Sequence, residues 1–159
     1  MLVLPPVVFC LAAAGCGQAT PEQAVYKFLG AVQSHDRDAM QACVNPEALE
    51  KVEEGRGEIV REWEELYRRY MAEPADWRMV FESIRLESSY LDADRALVRL
   101  VGGRCELYNL KEGAWVSAGE IDFSTEDFVP LYVVERGGQW FLEALDLYVI
   151  FGLESAART

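Results

Sequence analysis

The apolar residues of this chain keep two different rhythms, and the change between them falls at Trp77. Before Trp77 they recur at helical spacing. Val25, Phe28, Leu29 and Val32 stand at i, i+3, i+4 and i+7, the stripe of one helix face. After Trp77 they alternate with polar residues, as Ala96, Val98 and Leu100 do, which is the period of a half-buried strand. Helices first and strands afterwards is an α+β order, with N-terminal helices packed on a curved, mostly antiparallel sheet.

Punctuation residues divide each half. Thr20-Pro21-Glu22-Gln23 reads as a helix start, with Thr20 as cap, Pro21 at the first helical position and Gln23 completing a capping box. Ser34-His35-Asp36 ends that helix, and Asp36 caps a short second one running through Met40, Cys43 and Val44. Asn45-Pro46 opens a third, from Glu47 to Glu54. Residues 58–72 form the longest predicted helix, with Ile59, Trp63, Leu66, Tyr67 and Tyr70 on its buried face. In the second half, Met79 to Tyr90 reads as a strand in which Phe81 and Ile84 are out of phase, so a bulge is expected. Gly102-Gly103 is expected to bend the next strand ahead of Cys105 and Leu107. Lys111-Glu112-Gly113 makes a tip before a strand from Trp115 to Phe123. Val129 to Glu135 and Trp140 to Phe151 then form a hairpin through Arg136-Gly137-Gly138-Gln139.

The first basic residue is Lys27, and the opening segment is almost wholly apolar. Residues 1–16 are too few to span a bilayer as a helix, which needs about 20 apolar residues. An apolar core running into small residues is the layout of an export signal. Leu11-Ala12-Ala13-Ala14-Gly15-Cys16 resembles the lipobox of bacterial lipoproteins, with Ala13 where Leu is usual. The resemblance implies cleavage before Cys16, lipid on its thiol, and a protein exported and anchored to a membrane. The expected organisation is a signal over 1–15, a lipidated Cys and short tether over 16–19, one domain over 20–152 and a polar tail over 153–159. Two or more acyl chains give stable anchoring, since each buried CH2 contributes about 0.8 kcal/mol.

The net charge of −12 over 159 residues argues against nucleic acid as a partner, because binding phosphates needs a basic face. With Cys10 in the signal and Cys16 lipidated, Cys43 and Cys105 remain, either as a disulfide or as two buried thiols. No Cys-x-x-Cys pair occurs, and no EF-hand spacing accompanies the Glu-rich run from Glu47 to Glu65, so neither a metal nor a cofactor is expected. His35, the sole histidine, reads as a loop residue.

Four stretches carry a second resemblance. They are Thr20-Pro21-Glu22-Gln23-Ala24-Val25 with Phe28-Leu29, Ser34-His35-Asp36, Asn45-Pro46-Glu47-Ala48-Leu49, and Val133 to Leu142 with its Arg136-Gly137-Gly138 turn. Over residues 20–151 the chain resembles the nuclear transport factor 2-like superfamily, the cystatin-like cone. The resemblance implies a pocket between helices and concave sheet. Some members, isomerase-like and cyclase-like enzymes, place an Asp base there; others bind a ligand or a protein, and the sheet's outer face often pairs.

Three readings follow. The first is a lipid-anchored envelope protein, non-catalytic, whose cone binds a small apolar ligand or a partner protein, with Trp63, Tyr67 and Tyr148 lining the pocket. The second is a small-molecule isomerase or cyclase-like enzyme using Asp146, which shares a strand face with Trp140, Leu142 and Tyr148, or Asp122, flanked by Ile121 and Phe123. The third is a dimerisation module giving a homodimer through the sheet face, which an exposed stripe on Leu97, Val101, Tyr132 or Val134 would favour.

Overall fold

A computed structural model describes residues 19–53, 76–125 and 130–143. The elements in order are α1 (Pro21–Ser34), α2 (Arg37–Gln41), α3 (Pro46–Glu53), β1 (Trp77–Tyr90), β2 (Arg95–Lys111), β3 (Ala114–Asp122), β4 (Leu131–Arg136) and β5 (Gln139–Leu142). Helices followed by an antiparallel sheet is the α+β order that the two apolar rhythms predict. The expected helix over 58–72, the export signal with Cys16, and the strand beyond Glu143 lie outside the described residues.

Local chemistry explains the helices. The Thr20 hydroxyl accepts from the Gln23 amide at 3.3 Å, while the Gln23 side chain accepts from the Ala19 amide at 2.9 Å, one residue earlier than a capping box requires. The far end of α1 closes on His35 in the left-handed region, φ 54°, with the Asp36 amide donating back to the Ala31 carbonyl. Asp36 caps α2 through the Ala39 amide, as its position suggests. That helix stops at Gln41, earlier than expected, because Val44 leaves it to bridge Leu142 of β5 in parallel. Asn45 pins this crossing. It is 97% buried, its Nδ2 donates to Glu143, and its backbone amide donates to the Leu142 carbonyl at 2.8 Å.

β2 organises the sheet. From Ala96 to Asn109 it pairs antiparallel with β1 on one side, apart from the bend described below. On the other side it changes partner: Arg95–Val98 pair with β4, and Arg104–Lys111 pair with β3. A bend lies between. From Glu82↔Arg104 to Arg85↔Gly102, β1 carries Ser83 and Ile84 against Gly103 alone; from there to Leu86↔Leu100, β2 carries Val101 unopposed. Ser83 has φ 52° and Gly103 has φ 90°. This is the irregularity that the phase of Phe81 and Ile84 and the glycine pair predict. It also switches which residues face inward, from Ala96, Val98 and Leu100 to Cys105 and Leu107, so both halves of the bent strand stay buried. β4 and β5 meet through a two-residue turn in which Gly137 and Gly138 both have positive φ, the geometry that suits right-twisted strands.

α1 closes the inner face. Val25, Phe28, Leu29 and Val32, the predicted stripe, are buried in one cluster with Met79, Val98, Leu107, Phe123, Leu131 and Leu142. The same helix covers the outer edge of β1. The Phe81 amide donates to Gln33 at 2.7 Å, the Tyr26 hydroxyl donates to the Ile84 carbonyl at 2.9 Å, and the Ser88 hydroxyl donates to the Glu22 carboxylate. Polar groups that would template another strand are thus occupied.

Candidate binding face

The described part of the inner face is filled by side chains, whereas the outer face of the sheet carries exposed aromatic, aliphatic and charged side chains. Ordered from the β2–β3 tip inward, that face carries three zones. Strand pairing fixes each of them, because cross-strand neighbours on one face sit within about 5.5 Å.

At the tip, Arg78 pairs with Tyr108, and Trp115 pairs with Leu110. The Arg78 guanidinium stacks between the two rings, 4.7 Å from the Tyr108 centroid and 4.8 Å from that of Trp115. Among the described residues it has no carboxylate partner, and its buried Nε has no acceptor. Trp115 and Leu110 are exposed at 37% and 39%. The Tyr108 hydroxyl is bonded to Glu106, which pushes its pKa up.

In the middle, Arg104 donates to Glu82 at 2.6 Å and lies 3.4 Å from Glu106 and 3.6 Å from Glu120. The Glu82 bond leads the effects that raise its pKa further. One guanidinium thus serves three carboxylates. Beside it the bend opens a polar groove of about 390 Å³, lined by Glu82, Ser83, Arg85, Gly103, Arg104, Glu120, Asp122 and Ser124. Beyond the bend, Leu97 pairs with Tyr132, which is 46% exposed, and Val101 is half-buried beside them. Val134, expected in the same stripe, is buried.

Asp122 sits on the rim of the outer groove and is exposed. The Ser124 hydroxyl and amide both donate to it, at 2.6 and 2.8 Å, and hold its carboxyl below the usual range. A base for neutral pH needs the opposite shift. Cys43 and Cys105 are both buried thiols rather than a bridge. Each occupies a place in the apolar core, and burial pushes the Cys105 thiol up to about 12, so it stays protonated at neutral pH. His35, read as a loop residue, is the helix cap and packs edge-on against Trp77 at 5.0 Å. Trp63, Tyr67, Tyr148, Asp146 and Cys16 lie outside the described residues. Among the described residues no group of His, Cys, Asp and Glu is placed to hold a metal ion, and no helix is long and apolar enough to cross a membrane.

The Arg78 stack is not among the candidate sites to which the sequence points. The available signal is register. Once Lys111-Glu112-Gly113 is taken as a tight tip, Leu110 must face Trp115, and the alternation that buries Met79 turns Arg78 outward beside them.

No family model and no curated protein matches the chain. Among solved structures it is similar to the Chlamydamonas reinhardtii CamKII hub homology domain, with 13% identity, a TM-score of 0.43, and coverage of 76% of this chain and 88% of that one. The fold class rests on the observed elements themselves.

Proposed function

We propose that this chain is a non-catalytic, lipid-anchored envelope protein whose α+β domain engages a partner protein through the outer face of its sheet. The observation that carries this reading is the distribution of unfilled surface. The inner face is packed with α1, whereas on the outside the exposed Tyr132 stands beside Leu97, and Arg99 lies between the half-buried Leu97 and Val101, next to a charged groove. Such a mixture of aromatic, aliphatic and arginine side chains is the composition of an interface centre. The exposed, ionised Asp122 gives no support to a base-catalysed reaction at that position.

The anchor is part of the proposal and rests on Leu11 to Cys16. It holds an acidic domain beside a membrane whose charge does not attract it. Intact-mass analysis of membrane-fraction protein reads it directly. A chain beginning at a diacylated Cys16 supports the anchor, and a soluble chain retaining residues 1–15 sinks it.

Tyr132→Glu tests the face. The substituted side chain is exposed, so the melting temperature should move by no more than about 2–4 °C. A higher-mass complex resolved on native gels of membrane extracts should be lost. An unchanged complex in a folded Tyr132→Glu protein overturns the assignment of this surface.

A further inference from the structure

We infer that the end of the domain carrying Tyr90 and Leu91 rests on a lipid bilayer, with both side chains seated at the level of the headgroups. This rests on the proposed anchor at Cys16 and says which end of the domain the membrane meets.

The direction of α1 fixes that end. Its contacts run along β1 in reverse order: Glu22 meets Ser88, Tyr26 meets Ile84 and Gln33 meets Phe81. The helix therefore begins beside the last residues of β1, next to the β1–β2 turn. From the Glu22 contact with Ser88, two residues of helix carry Thr20 about 3 Å further, and two residues of strand carry Tyr90 about 6.6 Å further. The four residues from Cys16 to Thr20 span at most about 14 Å even when fully extended. A lipid on Cys16 thus keeps a membrane within reach of the turn. The tip with Trp115 stands at the other end of β1, where the Leu110 amide donates to the Asp76 carbonyl.

The surface at this end suits lipid. Tyr90 is 61% exposed and Leu91 51%, the two most exposed large apolar residues among those described. Both are held in place. The Tyr90 ring packs edge-on against Trp140 at 5.7 Å, the Leu91 amide donates to the Arg95 carbonyl at 2.9 Å, and Arg95 Nε donates to Asp92 at 2.7 Å. A fixed tyrosine beside a leucine suits an interface that is wet on one side and apolar on the other. Charge does not drive the contact. Arg95 is paired with Asp92, and Arg136 lies 3.5 Å from Glu47 and 3.7 Å from Asp94, so neither is a dedicated site for anionic lipid. Two side chains hold a free domain only weakly. The acyl chains make their contact an intramolecular one, and a weak contact then suffices to set the orientation. The strands stand away from the bilayer, which leaves Leu97 and Tyr132 open to a partner protein.

A benzophenone amino acid in place of Leu91 in the full chain, irradiated in isolated membranes, tests this. The same probe in place of Val116, which is also exposed but lies on β3 near the tip, is the control. Position 91 should give a phospholipid adduct, read as added mass on its peptide, and so should position 90; position 116 should give none. The adduct should persist at about 1 M salt, where charges are screened beyond about 3 Å. No lipid adduct at positions 90 and 91 overturns the inference, as do equal adducts at 91 and 116, a protein adduct in place of lipid, or loss of the adduct in high salt. Intact mass of the same sample reads the anchor separately. A diacylated Cys16 with no lipid adduct at 90 or 91 keeps the anchor and removes the contact. A lipid adduct at 91 on a chain retaining residues 1–15 keeps the contact and removes the anchor.

Discussion

Gly103→Ala is expected to destabilise the domain by about 3–5 kcal/mol, lowering its melting temperature by roughly 10–20 °C. Two costs combine. Gly103 has φ 90°, a conformation that residues with a Cβ adopt only under strain. A Cβ there would also meet backbone on the facing strand: the Ser83 carbonyl oxygen at 2.5 Å, the Glu82 carbonyl oxygen at 2.6 Å and the Ile84 Cα at 2.7 Å. None of these atoms can swing aside, because the strands are hydrogen-bonded on both sides of the bend. Gly102→Ala is the control. The three atoms nearest its Cβ would all belong to the guanidinium of Arg85, the mobile end of a long side chain, so most of the stability should survive. Equal losses in the two variants would show that the bend does not depend on close approach at Gly103. The consequence extends to function, since the bend forms the groove and lets β2 exchange β4 for β3 as its neighbour.

Phe28→Ala is the second large effect. Phe28 is fully buried on α1, against the inner face of the sheet. Truncating a buried phenylalanine costs about 3–5 kcal/mol, a large share of the roughly 5–15 kcal/mol that holds a domain together. The loss has a further outlet here. α1 also supplies Tyr26, Gln33 and Glu22 to the edge of β1, so loosening the helix uncovers the strand edge from Phe81 to Ser88. Chemical denaturation should show the lost stability, and light scattering should show association of the variant on mild warming. A loss below about 1 kcal/mol would mean that the helix is held elsewhere.

The parts of the fold legible in the sequence were those fixed by neighbouring residues. Thr20, Pro21 and the Val25–Val32 stripe define α1 because capping and helical period are local. Phe81, Ile84 and the Gly102-Gly103 pair announce the bend because a bulge shifts a period of two by one. What stayed hidden depends on distant pairing. The exchange of partners by β2 has no local signature. Neither does the departure of Val44 from the helical pattern, which Leu142 causes from almost a hundred residues away. The site suffered from the same blindness. Asp122 between Ile121 and Phe123 has the pattern of a carboxylate set among apolar groups, yet alternation alone does not say which way a strand faces, and Asp122 faces outward. Tyr108 and Trp115 have the composition of a core, and only the register of the β2–β3 hairpin brings them around Arg78.

The claim that the outer sheet face does the binding is tested most directly by photocrosslinking in intact cells. A benzophenone amino acid placed at Tyr132 reports on that face, and one placed at Tyr26, which is equally exposed but lies on α1, reports on the helix beside the β1 edge. Irradiation should give a discrete higher-mass adduct from position 132 and none from position 26. An adduct from position 26 alone would contradict the account.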